Sequence, residues 1–120
     1  MKILVTDDSK MARKMLIKTL DEFIQEDHEI FQAANGQECL DVYKEKTPDL
    51  VFLDLTMPVM DGFEALKQVK AYDQNAQVVI VSADIQKGSL HRVLSDGAIN
   101  FVKKPIDNSK MKLIFDKLSF

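Results

Sequence analysis

Several side chains that could do metal or phosphate chemistry follow short apolar runs of the sequence. Asp7 and Asp8 come after the first run, and Asp54 ends another. Ser82 closes a further run, and Lys104 precedes a proline near the carboxyl end. Three carboxylates brought together repel one another and raise each other's pKa unless a cation neutralises them. Oxygen ligands suit Mg²⁺, and a nearby lysine can pair with an oxyanion or with a carboxylate, so the sequence predicts a magnesium site beside a lysine.

The segments that must position these side chains alternate between strand-like and helix-like patterns. The predicted strands are residues 2–6, 29–34, 50–54, 77–82 and 99–103. Three of them are continuously apolar, as strands covered by helices on both faces should be. Between the strands, apolar residues recur at helical spacing, as in the stripe Ala12, Met15, Leu16, Leu20 and Phe23. The alternation predicts a doubly wound α/β fold with a five-stranded parallel sheet, whose ligands bind outside the carboxyl ends of the strands.

Composition narrows the class of protein. The chain has 120 residues, 46% hydrophobic and 29% charged, with a formal net charge of −3, which indicates one globular domain over residues 1–120 and argues against a nucleic-acid partner. The single cysteine, Cys39, cannot form an internal disulfide and has no companion residues at zinc-ligand spacing, which favours a reducing, cytoplasmic setting. The first apolar run is too short for a signal peptide or a membrane span.

The order and spacing of the candidate residues form a pattern that covers essentially the whole chain. Its parts are Asp7-Asp8, Asp54, the turn Met57-Pro58-Val59-Met60-Asp61-Gly62, Ser82-Ala83, Phe101 and Lys104-Pro105. Each part is weak by itself, but together they are highly specific. In this pattern the chain resembles the receiver domain of two-component response regulators. The resemblance implies the flavodoxin-like strand order 2-1-3-4-5, with helices on both faces of the sheet.

The resemblance also implies a role for each charged residue. Asp54 would be the nucleophile and phosphoacceptor, taking a phosphoryl group from a phosphohistidine of a partner histidine kinase. Asp7, Asp8 and Asp54, with the backbone carbonyl of Thr56, would hold Mg²⁺. Lys104 would pair with the phosphoryl group once it is in place, and in this family the Lys-Pro bond that follows is usually cis.

A second group of residues would transmit and time the signal. Ser82 and Phe101 match the family's switch pair, in which the hydroxyl turns to bond a phosphoryl oxygen and the ring rotates into the vacated space. Ser82 replaces the more frequent Thr, and Phe101 the more frequent Tyr. The small Ala83 would leave room for the phosphoryl group. Thr56 and Asp84 occupy the two positions that tune phosphoryl lifetime in the family.

Plainer interpretations exist for the same residues. Asp7 and Asp8 could cap a helix, and Lys104 could be an ordinary surface lysine. Ser82 could be a polar residue that ends a strand, and Phe101 ordinary core. Alternation along the fifth strand favours placing Lys104 at the site.

Three further residues have no predicted part in the chemistry. His28 and His91 are expected to be solvated, although His91 lies in the predicted fourth helix and could touch a partner. Cys39 falls on the apolar side of the second helix, where a small buried thiol is expected.

The expected function is that of a stand-alone, CheY-like chemotaxis regulator, a signalling phosphoacceptor rather than an enzyme. Its partners would be a histidine kinase and then a target protein or phosphatase, docking on residues 87–95, Phe101, Lys103 and the fifth helix. The protein would be a monomer or a weak phosphorylation-dependent dimer. A receiver cut from a larger regulator and a phosphorelay intermediate are the alternatives that stay open.

Two functions outside signalling fit less well. A flavodoxin-like electron carrier needs a loop after its first strand that cradles phosphate, and here Asp7, Asp8 and Ser9 would repel it. A phosphatase with an aspartyl nucleophile usually carries a second acid two residues later, where this chain has Thr56.

Overall fold

Five strands alternate with five helices along the residues described by the computed structural model, which are 1–83 and 86–119. The elements are β1 (Lys2–Thr6), α1 (Lys10–Phe23), β2 (Glu29–Ala33), α2 (Gly36–Lys46), β3 (Leu50–Asp54), α3 (Gly62–Tyr72), β4 (Val78–Ser82), α4 (Lys87–Ser95), β5 (Asn100–Lys103) and α5 (Asn108–Asp116). The predicted alternation is confirmed. Strands β2, β4 and β5 are each one residue shorter than predicted.

All four strand pairings are parallel, and the order is β2-β1-β3-β4-β5, as predicted. The chain starts at β1, moves outward to β2, and then crosses back to β3 on the other side. In the register, Thr6 pairs with Leu53, and Asp54 pairs with Val81. The carboxyl ends of β1, β3 and β4 therefore reach one edge of the sheet together, at the point where the strand order reverses.

The sheet separates two apolar layers. Side chains such as Leu53 and Phe101 pack on the side of α2, α3 and α4. Phe52 and Val102, their neighbours in the chain, pack on the side of α1 and α5. Every residue of β3 and β4 is buried, which explains why their sequences are apolar without alternation.

Helix α1 begins just after the first acidic pair. Its N-cap is Ser9, whose Oγ accepts a hydrogen bond from the backbone N–H of Ala12 at 3.1 Å. The interpretation of Asp7 and Asp8 as capping residues is therefore wrong. Asp7 instead accepts a bond from the Ser9 N–H at 2.9 Å, which turns the chain from β1 into the helix.

The apolar stripe of α1 is narrower than predicted. Leu20 is fully buried and Leu16 half-buried, but Met15 is 57% exposed. Met15 lies at the margin of the helix's apolar face, beside an open cleft, so the sheet does not cover it. Among the described residues, no helix has the length and apolar character needed to cross a membrane.

Candidate functional site

The three candidate carboxylates meet at the carboxyl edge of the sheet. Asp7 follows β1 directly, and Asp54 is the last residue of the neighbouring strand β3. Oxygens of Asp7, Asp8 and Asp54 all lie within 4.8 Å of one another. Asp7 and Asp54 are buried, whereas Asp8 is exposed. Parallel pairing of β1 with β3 is the reason that residues 47 positions apart come together here.

Lys104 reaches this cluster from the other end of the chain. Its Nζ lies 2.5 Å from Asp7 Oδ2 and 3.5 Å from Asp54 Oδ1. Its backbone N–H donates to the carbonyl of Ser82 at 2.8 Å, which ties the segment after β5 to the end of β4. Lys103 is exposed, so the surface position belongs to that neighbour, not to Lys104.

Burial and charge act against each other at this site. Burial raises the pKa of the Asp54 carboxyl. The positive charge of Lys104 lowers that pKa, and the negative charge of Asp7 raises it further. Burial lowers the pKa of Lys104, but its hydrogen bond to Asp7 and the charge of Asp54 outweigh burial and leave that pKa raised. Lys104 is therefore protonated at neutral pH. One ammonium group faces three carboxyl groups, so the cluster attracts further positive charge.

Arg13 supports the site in a way that sequence reasoning missed. Its Nη1 donates to the backbone carbonyl of Asp7 at 2.7 Å, and its Nε donates to Gln32 Oε1 at 2.9 Å. The Asp7 N–H donates to the carbonyl of Ala33 at 3.1 Å. The sequence held one signal for this role. Arg13 lies in the first turn of α1, where the positive end of the helix dipole disfavours a cation unless its side chain has acceptors to bond.

The loop after Asp54 folds back tightly onto the strand. The Gly62 N–H donates to the Leu55 carbonyl at 2.9 Å, and the Gly36 N–H donates to the Met60 carbonyl at 2.9 Å. A Cβ at Gly62 would strike the Asp54 carbonyl oxygen and lie 2.7 Å from Leu55 Cα. Glycine is therefore required at the end of this turn, because any side chain would push the loop away from Asp54.

The remaining predicted site residues lie around this cluster. Ser82 is buried as the last residue of β4, and Phe101 is buried in β5 on the side of α4. Thr56 is exposed at the start of the loop after β3. Asp84 lies outside the described residues. The bond between Lys104 and Pro105 is cis, as predicted.

An open cleft of about 690 Å³ leads away from the carboxylates along α1. Asp7, Asp54 and Lys104 line one end of it. Its walls include Met15 and Leu16 on one side and Ile106 on the other. The charged cluster is thus open to solvent beside a largely apolar surface.

The three residues with no predicted part in the chemistry differ in their exposure to solvent. His28 is not solvated as expected, because its side chain is only 13% exposed and its Nε2 lies 2.7 Å from Asp21 Oδ1. His91 is exposed on α4. Cys39 is fully buried, as predicted, and burial raises the pKa of its thiol to about 11.

The sequence profile of the family described as "Response regulator receiver domain" matches residues 3–116. The chain belongs to this family. Among curated relatives, this receiver is 34% identical over 119 residues to the chemotaxis protein CheY of Thermotoga maritima, covering 98% of this chain and 97% of the relative. It is also 37% identical over 111 residues to sporulation initiation phosphotransferase F of Bacillus subtilis, covering 92% of this chain and 87% of the relative.

Solved structures agree with this assignment. CheY in the CheX-CheY-BeF3-Mg²⁺ complex from Borrelia burgdorferi superposes with a TM-score of 0.84 at 32% identity, covering 95% of this chain and 85% of that chain. The chemotaxis protein CheY4 of Vibrio cholerae superposes with a TM-score of 0.86 at 25% identity, covering 98% of both chains. The protein is therefore a CheY-like receiver domain of two-component signalling.

Proposed function

We propose that Asp54 of this receiver accepts a phosphoryl group from a phosphohistidine of a partner histidine kinase. An Asp54 carboxylate oxygen bonds to phosphorus as the phosphorus–nitrogen bond of the phosphohistidine breaks, which leaves an aspartyl phosphate and a free imidazole. The observation that carries the proposal is a buried Asp54 with Lys104 Nζ 3.5 Å away and two further acids beside it. The open cleft supplies access for a donor.

The donor set fits Mg²⁺. Its three carboxylates offer hard oxygen ligands within 4.8 Å of one another, and they carry more negative charge than Lys104 balances. Asp7, Asp8 and Asp54, with the carbonyl of Thr56, would hold the ion, and the exposed Asp8 leaves room for the waters that Mg²⁺ keeps. When bound, Mg²⁺ offsets negative charge on the phosphoryl oxygens.

Lys104 acts on the phosphoryl group both while it is transferred to Asp54 and after it is in place, and Ser82 acts on it after transfer. Lys104 is already within reach of both Asp7 and Asp54, so its flexible side chain can exchange a carboxylate oxygen for a phosphoryl oxygen. The Ser82 hydroxyl can turn toward the same group, and Phe101, buried on the side of α4, then moves inward. Thr56 and Asp84 would set how long the aspartyl phosphate survives.

The output surface is the face formed by α4, β5 and α5. On it His91, Leu94, Lys103 and Leu113 are exposed. Helix α4 also contacts α3, because the guanidinium of Arg92 on α4 stacks 4.1 Å from the centre of the Phe63 ring on α3. Phosphorylation would shift an existing equilibrium in the position of this helix and so change what a target protein or a phosphatase can bind.

The pathway we propose is chemotaxis, with residues 1–120 acting as a single stand-alone receiver domain. The chain is matched almost from end to end by several proteins named chemotaxis protein CheY. Such a receiver would work in the cytoplasm as a phosphoacceptor without substrate turnover, as a monomer or a weak phosphorylation-dependent dimer. A phosphorelay intermediate is the second candidate, because the similarity to sporulation initiation phosphotransferase F is equally high.

The test is the intact mass of the protein after incubation with an acyl phosphate, with and without Mg²⁺. We expect one added phosphoryl group in the wild type with Mg²⁺, and none in Asp54→Asn. Asp41→Asn removes an exposed carboxylate on α2 and should still take up the group. An adduct that persists in Asp54→Asn would show that the acceptor is misassigned, and rapid sampling without any adduct would contradict the proposal.

The output surface is tested with the phosphorylated protein and its candidate targets. Lys103→Ala and His91→Ala should weaken binding of a target or phosphatase without changing uptake of the phosphoryl group. Lys44→Ala, on the exposed part of α2, is the control. Unchanged binding of every phosphorylation-dependent partner by both surface variants would show that the surface is wrongly placed.

A further inference from the structure

A lysine on α5 holds the backbone on both sides of Lys104. Lys110 Nζ donates to the carbonyl of Lys103 at 2.8 Å and to the carbonyl of Pro105 at 3.0 Å. One ammonium group thus bridges the residue before Lys104 and the residue after it. We propose that Lys110 is a positioning residue for phosphoryl transfer, acting through Lys104.

The location of Lys110 is unfavourable unless these bonds form. It lies in the first turn of α5, where the positive end of the helix dipole repels a cation. Its backbone N–H already donates a capping hydrogen bond to Asp107 Oδ1 at 2.9 Å. The side chain is half-buried and folds back over the turn that precedes the helix. The two carbonyls supply the negative partial charge that offsets the dipole.

The consequence is a segment fixed at three successive residues. The Lys104 N–H is bonded to the carbonyl of Ser82, and Lys110 holds the carbonyls on either side. Lysine has a long side chain with many rotamers, so the position of its ammonium depends on where its backbone is anchored. With this anchor, the Lys104 ammonium reaches Asp7 at 2.5 Å and Asp54 at 3.5 Å. The Lys110 ammonium itself contacts backbone carbonyls and, within the part of the chain that the structure describes, none of the site carboxylates.

The expected effect on transfer is moderate, because a small displacement of a charged group at a reacting centre slows the reaction without abolishing it. This inference rests on the proposed role of Asp54 and Lys104. Lys110→Met should slow phosphorylation of Asp54 by an acyl phosphate about five- to tenfold. Lys110→Arg, which keeps two donors at similar reach, should stay within about twofold of the wild type.

The experiment times phosphoryl uptake by intact mass in the wild type, Lys110→Met and Lys110→Arg, and again with Lys104→Ala added to each. Because Lys110 acts through Lys104, Lys110→Met should have no further effect once Lys104 is alanine. Lys112→Met is the control, since Lys112 is exposed on the same helix and its ammonium pairs with Asp116 at 3.3 Å. An equal loss from Lys110→Met with or without Lys104, or no loss at all, would overturn the proposal.

A second measurement needs no phosphorylation. Backbone amide resonances of Lys103, Lys104, Ile106 and Asp7 should shift in Lys110→Met and return close to their wild-type positions in Lys110→Arg. Resonances that stay in place in Lys110→Met would also overturn the positioning role. If the wild type takes up no phosphoryl group while these resonances shift, the function proposed for Asp54 fails and the positioning of Lys104 by Lys110 stands.

Discussion

At the carboxyl edge of the sheet, Asp7 and Asp54 are buried beside each other with one lysine between them. At the opposite, amino edge, polar groups outside the core form separate hydrogen-bonded pairs. The Lys2 N–H donates to Asp49 Oδ2 at 2.8 Å, and the Gln77 amide exchanges two hydrogen bonds with the backbone of Ser119, at 2.9 and 2.7 Å.

The difference shows where this fold places its unfavourable interactions. Crowded buried carboxylates lower stability when they are ionised, whereas exposed partnered groups contribute little in either direction. The backbone is also strained at the carboxyl edge, because Val59 adopts a φ of +68° in the loop after Asp54. The proposed binding of Mg²⁺ and of a phosphoryl group would need this uncompensated charge, and the rest of the molecule must supply the stability that holds the site together.

The largest effect should come from Gly62, which packs directly behind Asp54. Gly62→Ala should lower the free energy of unfolding by about 3 kcal/mol, because its Cβ would meet backbone atoms of Asp54 and Leu55 that cannot move aside. Urea denaturation measures the change. Gly88→Ala is the control, since no atom lies within 4 Å of a Cβ there, and it should raise stability by about 0.5 kcal/mol. Equal effects of the two variants would contradict the tight packing of the carboxyl edge.

Asp54 should make the carboxyl edge less stable at neutral pH. Burial raises the pKa of Asp54 in the folded protein above the ordinary 3.8, so the folded protein binds a proton at Asp54 more tightly than the unfolded chain does. The stabilisation that results is fully present below about pH 3.8 and is lost as pH rises through the raised pKa. Asp54→Asn should therefore be more stable than the wild type by about 1.5 kcal/mol at pH 7, with a gap that closes toward pH 4. Urea denaturation across this range measures the gap.

The matched control for Asp54→Asn is Asp41→Asn, which removes an exposed carboxylate on α2. It should change the free energy of unfolding by less than about 0.5 kcal/mol. A variant of Asp54 that is less stable than the wild type at pH 7 would mean that pairing with Lys104 outweighs burial.

Relief of backbone strain near the site should give a smaller gain. Val59 is 82% exposed and its φ of +68° is disfavoured for a β-branched residue. Val59→Asn should raise stability by about 1 kcal/mol, since asparagine tolerates this conformation. Leu113→Asn, at an exposed helical position, should give no gain. Thermal unfolding followed by circular dichroism measures both, and an unchanged Val59→Asn variant would show that this loop stores no strain.

The smallest effect should come from His28, far from the site. Both ring nitrogens face acceptors, the carbonyl of Glu26 at 2.9 Å and Asp21 at 2.7 Å, and these contacts raise the pKa of the imidazole above 6.5. The stabilisation is therefore fully present below pH 6.5 and is lost as pH rises through the raised pKa. His28→Gln should lower stability by about 0.5 kcal/mol at pH 6, with little difference above pH 8.

The partner variant Asp21→Asn should flatten the same part of the pH profile. Chemical denaturation at closely spaced pH values measures both variants. A wild-type profile that rises between pH 6 and pH 8 would contradict the sign of the effect.

Much of the fold was predictable because its signals are local. Continuous apolar runs such as Leu50 to Leu53 indicated strands covered on both faces, and all five strands lie where they were predicted to within one residue. The exposure of Met15 was not predictable from its spacing, since helical periodicity marks an apolar side but not how far the sheet covers it. The N-cap of α1 was also misjudged, because Asp7, Asp8 and Ser9 are all good capping residues.

The supporting contacts of the site were beyond the sequence for a different reason. Arg13 and Lys110 donate hydrogen bonds to backbone carbonyls. Every residue has a backbone carbonyl, so residue types do not show which carbonyl a side chain will contact. His28 likewise looked like a solvated loop residue until the fold placed Asp21 against it. Contacts of this kind depend on where two segments meet in space.

Residue type and spacing along the chain were sufficient to predict the order of the elements, the strand ends at which acids and a lysine occur, and the motif that identifies the family. The folded structure was needed for the 2.5 Å pairing of Lys104 with Asp7, the bridging of Lys103 and Pro105 by Lys110, and the balance of charge that results. Electrostatic interactions depend on distance and burial, and between residues 97 positions apart both are set only when parallel strands bring their ends to one edge.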